Sequence, residues 1–252
     1  MHKEHPSFRS PSDSNQCIWR YMDLAKLLDL IQSSSLYFPR ADHLGDPFEG
    51  SITKATQQNR QLVTDMFVRH GTPNAYKLPW TFSEALIQAR TQNYVSCWHM
   101  NSVESAAMWA QYATHSTSIA IQSSFARLVN SLQHATADVY IGTVQYTDYD
   151  KDFISEDNQF VPLLHKRLSY SYENELRAVV WLTQKQSELL GVNPSEKPNG
   201  IKVAVDLTKF VSIIYVSPLA PQWFAEVVKK LVDDYKVHSA VQYSRLGEEA
   251  IF

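Results

Sequence analysis

Cysteine is scarce in this chain. Its 252 residues hold two, Cys17 and Cys97, which cannot form a zinc site alone and show no disulfide framework, so a reducing cytoplasm is the expected compartment. Glycine is scarce as well. The seven present form no GxGxxG and no Walker pattern, which removes the usual phosphate-cradling loops. No apolar run approaches the roughly 18 residues of a membrane-crossing helix, so no membrane partner is expected. The first residues, Met1-His2-Lys3-Glu4-His5-Pro6, are polar and lack the apolar core of a signal peptide. Neither sign of charge dominates: 23 Lys and Arg face 26 Asp and Glu, a net −3. That excludes broad, sequence-independent nucleic-acid binding, which needs a large positive surface, but allows a local basic groove.

What is present describes an ordinary globular protein with a substantial core: 44% apolar, 19% charged and 12% aromatic. There is no internal repeat and no low-complexity linker. Residues 1–15 are rich in Ser, Pro and Asp and are expected to be flexible. Residues 16–252 read as a single α+β domain, with a mixed, split sheet of roughly seven to nine strands flanked by helices.

Along the chain, Ile18-Trp19-Arg20-Tyr21 reads as a strand. A helix follows on Leu24, Leu27, Leu28 and Ile31. Leu36-Tyr37-Phe38 is a second strand, stopped by Pro39. The next loop, Arg40 to Gly50, carries Gly-Asp-Pro turn chemistry and many polar groups. Residues 51–92 predict two or three helices. Asn93 to Trp98 is a strand, and Glu104 to Tyr112 a helix capped by Ser102 or Asn101. Ser116–Gln122 and Tyr140–Tyr146 are strands separated by a helix from Ser124 to Leu132. A helix over Phe160–Arg167 leads to a buried strand from Ala178 to Leu182. Residues 183–200 read as a polar loop. Strands at Lys202–Leu207, Val211–Val216 and Ala240–Tyr243 surround a helix that Pro221 starts.

The residues with chemical potential are few. Glu173 and Glu175 precede the Ala178–Leu182 strand. In an extended strand Glu173, Glu175 and Arg177 share one face, with neighbouring side chains about 7 Å apart. One acid is then a catalytic or ribose-holding group tuned by the other, or both are a surface pair balanced by Arg177, Lys166 and Arg167. Arg20 with Tyr21, at a strand end, suits a phosphate and a stacked ring, or is a plain strand-edge pair. Asp46 and Glu49 can ligate a metal, or close a turn and pair with a base. Cys97 and His99 share a strand face, but Cys97 lies in an apolar strand with no third group to orient the His, and it reads as a buried, inert cysteine. Glu104 suits the first turn of its helix; Trp109 and Tyr112 are expected in the core.

Several motifs occur together in one order. They are Trp19-Arg20-Tyr21, Leu36-Tyr37-Phe38 with Asp46-Pro47-Phe48-Glu49-Gly50, and Ser96-Cys97-Trp98 with Glu104 and Met108-Trp109-Ala110-Gln111-Tyr112. Ile119-Ala120-Ile121, Val144-Gln145-Tyr146, and Lys166 with Tyr172-Glu173-Asn174-Glu175-Leu176-Arg177 complete the series. Over roughly residues 17–216 the chain resembles the bacterial family labelled domain of unknown function 2971, a label without an assigned activity.

A second resemblance is to ADP-ribosyltransferases. Trp19-Arg20-Tyr21, the following helix, Leu36-Tyr37-Phe38 and Glu173-Asn174-Glu175 arrive in that family's order. The resemblance implies a split mixed sheet that clamps NAD as substrate. It implies a transferase, a toxin or phage-defence effector, acting on nucleic acid or protein. It makes Glu175 catalytic and Glu173 its helper. Arg20 would hold phosphates, and Tyr21 or Tyr37 would stack on nicotinamide, with Asp46 and Glu49 carried as further cofactor-binding residues. Where one transferase branch has Ser-Thr-Ser, Tyr37-Phe38-Pro39 stands here. Two other readings are open: a non-catalytic binding or sensor module, in which Asp46, Glu49, Glu173, Glu175 and Arg177 only pair with one another, and a metal-dependent nuclease using Asp46, Glu49 and Glu175 as ligands with Lys166 near the scissile phosphate.

Overall fold

The computed structural model of the chain describes residues 1–113 and 115–251. The first strands are β1 (His2–Lys3) and β2 (Cys17–Asp23). Asp23 then caps helix α1 (Leu24–Ser33) by accepting from the Lys26 amide at 2.8 Å, and α1 turns Leu27, Leu30 and Ile31 inward. After β3 (Ser35–Pro39) come two helices, α2 (Lys54–Arg69) and α3 (Leu78–Gln92). The middle of the chain supplies β4 (Asn93–Met100), α4 (Ala106–Tyr112), β5 (Ser118–Ser124), α5 (Phe125–Ser131) and β6 (Val139–Thr143). Next are β7 (Gln145–Thr147), β8 (His165–Arg167), β9 (Glu175–Trp181) and α6 (Gln184–Leu190). The last elements are β10 (Gly200–Ala204), α7 (Leu207–Phe210), β11 (Ile213–Val216), α8 (Gln222–Asp234) and β12 (Ala240–Tyr243).

Eight strands form the main sheet in the order β1-β6-β9-β4-β2-β5-β11-β12. Its two outer pairs are parallel and the inner ones antiparallel, so the sheet is mixed and the fold is α+β. The ladder between β2 and β4 is short. It holds Ile18 to Met100 and Trp19 to His99, whereas β2 pairs with β5 along its whole length. Beyond Trp19 the two strands part and the sheet splits. The β3–β10 ribbon approaches β4 there through a bridge between Arg40 and Tyr94.

Alternation along the strands assigns the two faces. Ile18, Met22, Trp98, Ile119 and Ile121 face the main core, filled by Leu27, Leu128, Phe224 and Val228 of α1, α5 and α8. The opposite face carries two smaller clusters. One joins Trp19, Tyr21 and Ala120 to Met108 and Trp109 of α4; the other joins Val95 and Val179 to Phe8, Phe160 and Leu163. Between them the same face carries His99, Glu175 and Arg177, all buried. Residues 1–15, expected to be flexible, give β1 to the sheet edge and bury Phe8 against Tyr140 and Phe160. Among the described residues no helix is long and apolar enough to cross a membrane.

Several local expectations need correction. The helix expected over Phe160–Arg167 is absent. Pro162 opens a single 3-10 turn, and His165–Arg167 instead pairs with β7 as a strand that points Lys166 inward. The loop expected at 183–200 contains α6, whose Thr183 hydroxyl accepts from the Gln186 amide and whose Gly191 ends it in the left-handed conformation. Ser105, not Ser102 or Asn101, caps α4. Glu173 lies in a 3-10 turn before β9, because Asn174 turns left-handed at φ 39° and so breaks the extended run.

Candidate functional site

Arg177, at the third position of β9, has a fully buried guanidinium, which requires buried acceptors around it. Its Nε donates to Glu175 Oε1 at 2.6 Å and its Nη2 to Glu175 Oε2 at 3.1 Å. Nη2 also donates to Glu49 Oε2, and Nη1 to the Leu163 carbonyl at 2.5 Å. Lys166 from β8 enters the same cluster. Its Nζ lies 2.5 Å from Glu173 Oε2, 3.3 Å from Glu175 Oε2 and 3.4 Å from Glu49 Oε1. Three carboxylates against two cations leave the cluster with a net charge of −1.

The electrostatics follow from this packing. Burial alone raises a carboxyl, yet the nearby Arg177 and Lys166 outweigh it and hold Glu175 down at about 2. Burial likewise disfavours the Lys166 ammonium, but Glu175 and Glu49 raise its pKa above the ordinary value. Cys97 is pushed well up, by burial first and Glu175 second, so it stays a thiol.

Glu49 reaches the cluster from a tight turn. Gly50 sits at φ +72°, and a Cβ there would come within 2.9 Å of both Arg90 and Leu163, so the turn needs glycine. Asp46 has a different task. It accepts two bonds from Arg167, at 3.0 and 2.8 Å, and one from the Phe48 amide at 3.1 Å.

The split between β2 and β4 opens a cavity of about 270 Å³. Arg20, Tyr21, Glu49, Glu173 and Glu175 all line it, with Lys166, His99 and Tyr112. Asp46 is not part of that lining. A second cavity of about 580 Å³ shares Arg20, Met22, Lys26 and Pro39 with the first, and Tyr37 lines this second one. Both volumes are of the order of small-molecule sites. Arg20 alternates with Trp19 and Tyr21, so its side chain stands on the opposite face of the sheet from the acid cluster. Its Nη1 donates to Ser96 Oγ at 2.6 Å, its Nη2 to the Tyr37 carbonyl at 3.3 Å, and its guanidinium lies 5.3 Å from the Trp98 ring centre. Among the described residues no carboxylate forms an ion pair with Arg20.

Reading the sequence missed two parts of this site. Tyr112, expected in the core, is 45% exposed, and its hydroxyl donates to Glu173 Oε1 at 2.9 Å. Lys166 reads from sequence as compensating charge and as one residue of the motif series, not as the ammonium at the centre of the acids. No local signal marks it, because β8 is a three-residue polar run that becomes a strand by pairing with β7. Among the described residues no group of three or more His, Cys, Asp or Glu is placed to hold a metal ion. The centre between Glu49, Glu173 and Glu175 is taken by the Lys166 ammonium, and Asp46 is engaged by Arg167.

No family model matches the chain, so its resemblance to the family of unknown function 2971 rests on the motifs alone. No curated protein matches it either. Among solved structures, Thermus sp. 2.9 DarT in complex with NAD+ is similar, with a TM-score of 0.41 and 8% identity. The match covers 94% of this chain and 99% of that one. So loose a superposition establishes no activity.

Proposed function

We propose that the chain is an NAD-consuming enzyme of ADP-ribosyl-transfer type. One observation carries the reading: Arg20, a cation without a carboxylate partner among the described residues, shares one cavity with a buried acid cluster of net charge −1. NAD has matching parts. Its pyrophosphate is anionic, its nicotinamide ring is cationic, and breaking the nicotinamide–ribose bond builds an oxocarbenium-like cation. Arg20 and Lys26 stand where the two cavities join, which suits a pyrophosphate between two nucleoside halves.

The acids divide the work. Glu175 is fixed by Arg177 and Lys166, and it supplies a standing negative charge. Glu173 has one partner on each oxygen, and one of these is the neutral, half-exposed Tyr112. A ribose hydroxyl can replace Tyr112 there, so in this reading Glu173, which the resemblance makes the helper of Glu175, is the acid that takes the sugar. Tyr21 offers an aromatic wall to nicotinamide, and Tyr37 one to the adenosine half. The acceptor in this reading is nucleic acid or protein.

One observation favours a binding module instead: Glu49, Glu175, Arg177 and Lys166 do pair with one another. That reading also requires a closed site, and the cavity beside them is open. The test is incubation with NAD labelled in its adenylate phosphate, together with nucleic acid and lysate. Transfer of label by the wild type and its loss in Glu173→Gln, with the variant still folded at the assay temperature, supports the enzyme. No transfer, no NAD consumption and no thermal shift with NAD overturns it.

A further inference from the structure

His99 is 4% exposed and lines the cavity beside Tyr21. Its Nδ1 lies 2.5 Å from the Glu173 carbonyl oxygen. A carbonyl only accepts, so Nδ1 carries the proton, and in the neutral imidazole Nε2 is an acceptor. Among the described residues Nε2 is buried with no hydrogen-bond partner. An orphaned buried acceptor is costly and asks for a partner.

We propose that His99 Nε2 is the acceptor for the carboxamide N–H of the nicotinamide ring, and so a specificity-determining residue. This rests on the NAD reading. The surroundings of His99 favour a flat ring over a sugar. The Tyr21 ring centre is 6.4 Å from that of His99, Trp19 stacks on Tyr21 at 6.3 Å, and Met108 lines the same cavity. The ribose hydroxyls have their own acceptor in Glu173. The turn that carries Glu173 is pinned to β4 beside His99's bond, by two bonds between the next residues along, Asn174 and Met100. Asn174 Nδ2 donates to the Met100 carbonyl at 2.6 Å, and the Met100 amide donates to the Asn174 carbonyl at 2.8 Å. The ring and the acid are thereby held as one unit.

The test compares NAD with its 3-acetylpyridine analogue, which is equally charged and lacks the amide N–H. His99→Asn places an amide donor near the Nδ1 position but offers no acceptor at Nε2; His99→Gln returns an acceptor there. Dissociation constants are measured for both dinucleotides with each protein, alongside melting temperatures. The wild type is expected to prefer NAD by about tenfold, the worth of one buried hydrogen bond. His99→Asn should bring the two ligands to near equality, and His99→Gln should restore part of the preference. A preference unchanged in His99→Asn, with NAD still bound, overturns this inference alone. Failure of every protein, wild type included, to bind either dinucleotide overturns the NAD reading and this inference with it.

Discussion

Arg177 holds Glu175 by two parallel hydrogen bonds, Nε to Oε1 at 2.6 Å and Nη2 to Oε2 at 3.1 Å, with the guanidinium wholly out of solvent. A charge pair so buried stabilises little over an apolar pair, but removing one partner leaves the other stranded. Arg177→Ala should therefore cost roughly 3–5 kcal/mol in urea unfolding. Glu173→Gln keeps an acceptor for Tyr112 and should cost only about 1–2 kcal/mol. Equal losses in the two variants would mean that the cluster is not anchored on Arg177.

Among the described residues Arg20 is held by Ser96, a backbone carbonyl and the face of Trp98, with no ion pair, so its replacement should change stability modestly. Its proposed work is on phosphate. Arg20→Lys keeps the charge but loses the two-pronged geometry, and should weaken NAD binding about tenfold; Arg20→Ala should weaken it more, and the wild-type affinity should fall with added salt. Titration calorimetry at two ionic strengths reads all three effects. Unchanged affinity in Arg20→Ala would remove the phosphate role.

Tyr112 occupies the Glu173 oxygen that a ribose hydroxyl would take. Deleting its hydroxyl removes a competitor. Tyr112→Phe should bind NAD several-fold more tightly, by about the worth of one neutral hydrogen bond, while its melting temperature falls slightly. Weaker NAD binding in this variant would show that Tyr112 contacts the ligand rather than being displaced by it.

The acid limb of stability has a definite sign. Glu175 sits at about 2 in the fold, below the 4.5 of a free glutamate. The unfolded chain thus binds the proton first, and this contribution to stability is whole above about 4.5 and fades as pH falls from there through about 2. A melting profile against pH should show a shallower acid limb in Glu175→Gln than in the wild type. Superimposable limbs would contradict the assignment.

Much of the framework was legible before the structure. β2, α1, β4, β9 and α8 follow the pattern of their apolar residues, and Pro221 marks the start of α8. The joint position of Glu175 and Arg177 followed from strand alternation. Their partner Glu49 did not, because it stands 128 positions from Arg177 and only the fold unites them. The β8 strand was misread because its short polar run takes its conformation from pairing with β7, which no local propensity records. The split beside Arg20 depends on how far the β2–β4 ladder extends, and that too is a tertiary fact. Tyr112 reads as a core aromatic on helical spacing, yet it lies at the end of α4 with its hydroxyl on Glu173.

The central claim is that the acid cluster and Arg20 break the nicotinamide–ribose bond of NAD. The most direct measurement is the rate of free nicotinamide release from NAD, followed chromatographically with purified protein and with added nucleic acid or lysate protein. The account predicts release by the wild type and a fall of at least about a hundredfold in Glu173→Gln, assayed below a melting temperature lowered by only a few degrees, as expected when a group stabilising the transition state is lost. No release by the wild type with any acceptor, or equal release by Glu173→Gln, would contradict it.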